Sequence, residues 1–306
     1  MKKKLYLYAL TAVLAMTTTQ TMAAELWDTQ LRAVTEGQPA GALPPPGVYG
    51  SLSNYFMSYK QYDNKANTTG VAVDALIEAP GMLWSTGLKV LGADYAVAIA
   101  QPFDYSNLKI AGNAAIADNG HWGSYNTLIA PALLSWSLPN DLHVKTGLTV
   151  SVDDASSSPA DPPANHGLGS GNSYWALQPE LGLSWLYDGW NLSFDAHYDY
   201  NFKDSKTDYR SGNDITVDYT IAKTIEKWTF GVGFYQHNQL NKDRGAGAVA
   251  AGCNVQGGCM NENYGGGPLV GYHFSEFDVL AVYNHNFYTR NVVAGDLLNI
   301  VFSKAF

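Results

Sequence analysis

From Trp190 to Lys203 the chain alternates without interruption. Trp190, Leu192, Phe194, Ala196, Tyr198, Tyr200 and Phe202 share one face; Asn191, Ser193, Asp195, His197, Asp199, Asn201 and Lys203 share the other. Strict period-two alternation is a β signal, and a run this long is about twice the usual soluble strand. Asp188-Gly189 precedes it, a dipeptide favoured in two-residue hairpin turns because both positions take positive φ. Folding there sets Tyr187 against Trp190, Trp185 against Leu192, Leu183 against Phe194, Leu181 against Ala196, Pro179 against Tyr198, Leu177 against Tyr200 and Trp175 against Phe202. Every member of that face is apolar or aromatic. From Trp185 to Trp175 the strand climbs roughly 25 Å at a tilt near 40°, the height of an outer-membrane apolar band. The other face sets Glu180 against His197 and Gln178 against Asp199. Apolar outside and polar inside is the pattern of a water-lined barrel.

Other segments repeat the plan. Ile215 to Ile225 and Trp228 to Asn238 flank Glu226-Lys227. Tyr264 to Phe274 and Phe277 to Tyr288 flank Ser275-Glu276. Tyr125 to Leu138 and Leu142 to Val152 flank Pro139-Asn140-Asp141. Longer polar stretches separate these hairpins: Asp104 to Gly120, Asp153 to Gly171, Asp204 to Ser211 and Gln239 to Asn263. Short turns alternating with long loops mark a transmembrane barrel, the short ones periplasmic. Gly47 to Tyr62 reads as the first strand. Two more lie between about Thr68 and Phe103, with limits blurred by Pro80-Gly81 and Gly92. The expected fold is all-β, an antiparallel transmembrane barrel of about 12 strands, with ten and fourteen as the alternatives.

The chain ends carry their own signals. Lys2, Lys3 and Lys4, the apolar run from Leu5 to Met16, and small Thr21 and Ala23 form a secretory signal, giving residues 1–23 as a removed leader. No later segment approaches the roughly 18 apolar residues of a spanning helix. Residues 24–46 are not strand-like and end in the stiff Pro44-Pro45-Pro46-Gly47. They are expected to plug the lumen or lie in the periplasm, with room for a short helix, and residues 47–306 to form the barrel. At the far end Leu298, Ile300, Phe302 and Phe306 share a face, interrupted by Lys304; a chain closing on Phe resembles the C-terminal signal of barrels handled by the assembly machinery.

Composition excludes several functions. With 15% charged and 13% aromatic residues, the chain is poor in charge and rich in Tyr and Trp, as interfacial girdles require. A net charge of −9 leaves no basic surface for nucleic acid. No phosphate-binding glycine loop is present, and no cofactor is expected. Cys253 and Cys259, in an exported protein, are expected to form a local disulfide and not a metal site, which needs four ligands.

Leu43-Pro44-Pro45-Pro46-Gly47-Val48-Tyr49, followed by Ser58-Tyr59-Lys60-Gln61-Tyr62 and a polar turn to Gly70, resembles the start of the family labelled "involved in the meta-pathway of phenol degradation". The resemblance spans Leu43 to Phe306. It implies an outer-membrane barrel of a Gram-negative bacterium, a transporter linked to aromatic catabolism; it supplies no binding residues.

The leading expectation is therefore a channel for small apolar or aromatic solutes, embedded in outer-membrane lipid. Register places His143, Lys145, Glu180, Asp195, His197, Asp199, Asp218 and His237 in the lumen, with His273 against Asp278 near a periplasmic turn. Each either lines a path or braces the wall; Glu180 and His197, at mid-height, are assigned to the path, and His273 with Asp278 to bracing. Two alternatives belong to other classes. A lipid hydrolase would need a nucleophile beside a His, yet Ser193 and His197 are four residues apart on one strand, about 13 Å. A structural or adhesin barrel would act through its loops, foremost Gln239 to Asn263.

Overall fold

The computed structural model describes residues 27–111, 120–157, 169–253 and 258–306. The leader assignment, residues 1–23, lies outside them. The strands are β1 (Gly47–Tyr62), β2 (Thr68–Val90), β3 (Ala93–Ala100), β4 (Phe103–Ile110), β5 (His121–Ser124), β6 (Leu128–Leu138), β7 (Leu142–Ser151), β8 (Ala176–Tyr187), β9 (Trp190–Asn201), β10 (Asp214–Ile225), β11 (Trp228–Gln239), β12 (Glu262–His273), β13 (Asp278–Arg290) and β14 (Val293–Ala305). All neighbouring pairs are antiparallel, and β1 pairs with both β2 and β14, closing the sheet into a barrel.

These fourteen segments make twelve staves. β3 and β4 both pair with β2, one after the other, and β6 and β5 pair with them in turn. The interruption falls at Gln101-Pro102, opposite Tyr125 to Thr127. Proline has no N–H for the ladder, and three residues face two, so the strands bulge there. Side chains mend the gap: Gln101 Nε2 donates to Tyr125 O at 2.8 Å, and Thr127 Oγ1 bonds Gln101 Oε1. The stretch from Asp104, read from sequence as loop, is therefore strand as far as Ile110. Likewise Tyr125 to Thr127 belong to the break, and β6 begins only at Leu128.

The hairpin registers agree with the sequence reading. Tyr187 pairs with Trp190, Glu180 with His197 and His273 with Asp278. Asp188 and Gly189 both have positive φ, 47° and 75°, as the two-residue turn demands. Trp175, Leu181, Leu183, Trp190, Leu192, Tyr200 and Phe202 are exposed on the outer face, the lipid-facing band of an outer-membrane barrel. Cys253 and Cys259 form a disulfide just after α1 (Ala246–Ala250), in the long loop between β11 and β12.

On one side the inner face is apolar. Tyr55, Met57, Tyr59, Val71, Val73, Ala75, Ile77, Leu108 and Leu297 are buried together with Trp27 and Ala33 of the segment before β1. That segment, residues 27–46, consists of turns and bends without a helix. No helix among the described residues is long and apolar enough to cross a membrane.

Candidate functional site

The lumen is the candidate site, and residues 27–46 run through it. Asp218 on β10 accepts from the backbone N–H groups of Ala33 (3.1 Å) and Thr35 (3.0 Å) and from the Thr35 hydroxyl (2.9 Å). Thr220, two residues on, accepts from Gly37 N at 2.8 Å. Ser184 on β8 accepts from Gly41 N at 2.7 Å, and Ser135 on β6 donates to Gly41 O at 2.8 Å. Asn284 on β13 donates to Glu36 at 2.9 Å, and Arg32 donates to Asn263 (3.0 Å) and to the Val293 carbonyl (2.9 Å). An irregular segment has no ladder to satisfy its backbone, so these wall side chains do it. Two inward glycines make the room. A side chain at Gly182 would collide with the Ala40 carbonyl, and one at Gly233 with the Glu36 carboxylate.

Four of the lumen candidates meet in one cluster. Lys145 Nζ lies 3.3 Å from Glu180 and 3.9 Å from Asp195; His197 lies 3.8 Å from Glu180 and 3.5 Å from Asp195. The two carboxylates and the imidazole present ligand atoms within 4.8 Å of one another, a set of metal-binding type. Lys145 places its ammonium against both acids and supplies their countercharge. Glu180, Asp195 and His197 are 8%, 1% and 6% exposed, so the cluster is buried.

The remaining candidates have separate surroundings. Asp199 accepts from Gln178 Nε2 at 2.9 Å. His237 bonds Thr216 through Nδ1 (2.8 Å), with Nε2 3.5 Å from Asp28 and 3.7 Å from Asp214. His143 bonds Ser137 at 3.2 Å, close to the turn that joins β6 to β7. His273 and Asp278 bond at 2.8 Å on an exposed rim. Ser184 and Ser193 bond each other at 2.6 Å, Ser193 also donates to Asn191, and Ser184 accepts from Gly41 N, so both hydroxyls are engaged in the wall and the N-terminal segment.

Sequence reasoning missed one cavity beside the N-terminal segment. The cavity, of about 350 Å³, lies among Gln30 and Pro44 of the N-terminal segment and residues of β1, β2, β3, β6, β7, β8 and β14, and its border takes in the exposed Met82 and Ile99. Its lining includes Gln30, Pro44, Ser51, Gly81, Leu83, Ala98, Ala100, Ala130, Thr149, Gln178 and Ser303, and holds no Asp, Glu, Lys, Arg or His. The readable signal was the run of small residues at inward positions on neighbouring strands.

The fold has a known counterpart. The COG4313 outer membrane channel from Pseudomonas putida F1 superposes with a TM-score of 0.73 at 11% identity, over 87% of this chain and 98% of that one. The β domain of the Bordetella autotransporter BrkA gives 0.49 at 9% identity, over 85% and 100%. No curated protein matches the chain in sequence. The family described as "Putative MetA-pathway of phenol degradation" matches residues 59–302. The chain is an outer-membrane β-barrel that belongs to this family.

Proposed function

We propose that the barrel is a channel through which small apolar or aromatic solutes cross the outer membrane, and that residues 27–46 are a plug narrowing it. The observation that carries this reading is the charge-free cavity beside the plug, in a lumen otherwise crowded with buried carboxylates. An aqueous pore lined by Asp and Lys would favour ions and sugars; a pocket of Ala, Gly and Leu favours solutes that lose little hydration on entering. A twelve-stave barrel is also narrower than the 16- to 18-stranded aqueous porins, and a plug narrows it further.

The reading divides the lumen in two. Lys145, Glu180, Asp195 and His197 brace the wall, because their charges satisfy one another and are shut away from the cavity. The path runs along the small residues of β2, β3 and β6. The solute, the lipid around the barrel and the assembly machinery that inserts it are the partners. Proteoliposome uptake of toluene against an equal-sized sugar tests the reading, with Ala130→Phe filling the path. Toluene uptake well above that of empty vesicles, lost in the variant, is the expected result. Equal permeability to both solutes, unaffected by Ala130→Phe, would contradict it.

A further inference from the structure

We infer that Glu180, Asp195 and His197 form a binding site for a divalent transition-metal ion of the zinc type, and that Lys145 is the cation it displaces. The inference concerns the wall of the barrel and does not depend on what the lumen conducts.

The strands bring the three ligands together. Glu180 on β8 and His197 on β9 are direct partners in the ladder, and Asp195 lies two residues along the same inward face of β9. The imidazole stands between the two acids, with Nδ1 3.8 Å from Glu180 Oε2 and Nε2 3.5 Å from Asp195 Oδ2. One ligand atom from each residue falls within 4.8 Å of the others. Ligands on opposite sides of an ion bound at about 2.1 Å stand about 4.2 Å apart, so side-chain adjustments of roughly half an ångström close the set.

The second observation is what these groups lack. Glu180 Oε1, both Asp195 oxygens and His197 Nε2 are buried without a hydrogen-bond partner. Polar atoms at that depth are normally satisfied, because leaving them bare costs their full desolvation. Lys145 does not meet the need. Its ammonium is 3.3 Å from Glu180 and 3.9 Å from Asp195, beyond the roughly 2.7–2.9 Å of a good charge-assisted bond. It brings countercharge without the bonds, and beside a neutral imidazole it balances one carboxylate of two. A dication balances both and bonds to all three ligands.

The donor set selects the class of ion. Mg²⁺ and Ca²⁺ take six or more oxygens, many from water or carbonyls. One imidazole nitrogen and two carboxylate oxygens suit Zn²⁺ and its neighbours, with the fourth place of a tetrahedral ion left to water. Bound there, the ion ties β8 to β9 beside Asp218, which pairs with Asp195 across β9 and β10 and holds Thr35 of the N-terminal segment.

The folded full-length barrel, freed of metal by chelator in detergent, is titrated with Zn²⁺ by calorimetry, with Mg²⁺ as the comparison. One Zn²⁺ per chain should bind, and Mg²⁺ should give no such isotherm. His197→Gln should weaken Zn²⁺ by at least about tenfold, the low end of what is lost when a residue that merely orients a ligand is removed. Asp195→Asn serves in its place should that protein fail to fold. Lys145→Met should bind Zn²⁺ more tightly than the parent, and Zn²⁺ should raise its urea midpoint by more than the parent's. The exposed pairs His273–Asp278 and His285–Asp296 are the competing sites, so the double variant His273→Ala, His285→Ala should bind as the parent does. Zn²⁺ affinity unchanged in His197→Gln and Asp195→Asn, or lost in the double variant, places the ion elsewhere and overturns the site. So does a Lys145→Met protein that takes up Zn²⁺ no more tightly than the parent, or the absence of binding in both.

Discussion

Asp218 Oδ2 receives both the backbone N–H and the hydroxyl of Thr35, at 3.0 and 2.9 Å. With Ala33 N on the other oxygen, one carboxylate seats the middle of the N-terminal segment. Asp218→Ala removes three bonds and leaves two backbone donors without partners, a loss of about 1–3 kcal/mol for each buried group left unsatisfied. The segment should spend more time unseated. Planar-bilayer conductance should rise several-fold with the barrel still folded; conductance equal to the parent would show that other contacts hold the segment.

The inward glycines give an independent route to the same state. Gly182→Val and Gly233→Val each put a side chain where Ala40 or Glu36 now sits, and the outward faces of β8 and β11 are untouched. Both variants should retain heat-modifiable migration and show raised conductance. If they fold and conduct as the parent does, the segment is not confined by these two contacts.

Removing the cation from the ion cluster should act on stability rather than permeation. Lys145→Met leaves Glu180 and Asp195 buried with His197 as their remaining partner. Breaking a buried pair by deleting one member costs about 3–5 kcal/mol. Urea unfolding should shift by that order, and Lys145→Met with Glu180→Gln should recover part of it. Toluene flux per folded barrel should not change; a drop in flux at parental stability would return the cluster to the path.

The β1–β2 loop offers a pH test outside the membrane. Asp63 accepts from the backbone N–H groups of Asn67 and Lys65, both at 2.8 Å, and these bonds hold its carboxyl below the usual carboxylate range. A lowered folded pKa means the ordering is complete above the unfolded value, about 3.9, and is lost as pH falls through the lowered one. Amide exchange at Lys65 and Asn67, corrected for intrinsic rates, should lose protection on acidification. Asp63→Asn should remove the pH dependence; a pH response that survives in it would have another source.

What the sequence made legible follows from where one force acts alone. On β8 and β9 lipid covers one face and polar lumen the other, so the alternation is clean and the register could be written from Asp188-Gly189. Around Pro102 the missing N–H and the extra residue opposite it break the period, and β4 reads as loop in the sequence. Val71 to Ile77 shows a third case. Val71, Val73, Ala75 and Ile77 face inward and are apolar, next to the outward Leu76, because Trp27, Leu31 and Val34 cover them from inside. Apolar residues on both faces of a barrel strand mean that something fills the lumen there. The filler has no periodicity to announce itself, so its partners, Thr220, Ser184 and Asn284, could not be singled out among the inward polar residues.

The partners that seat residues 27–41 lie far along the chain, from 94 positions for Ser135 with Gly41 to 261 for Val293 with Arg32. None of these bonds can form until the strand that supplies the partner is in place, and the last of them comes from β14. Contacts of such separation are slow to form, since loop closure precedes any gain. Residues 27–41 are therefore the last to find their place, and a seated segment reports that the final strand has closed on the first. Protease protection of this segment during refolding would time the completion of the barrel.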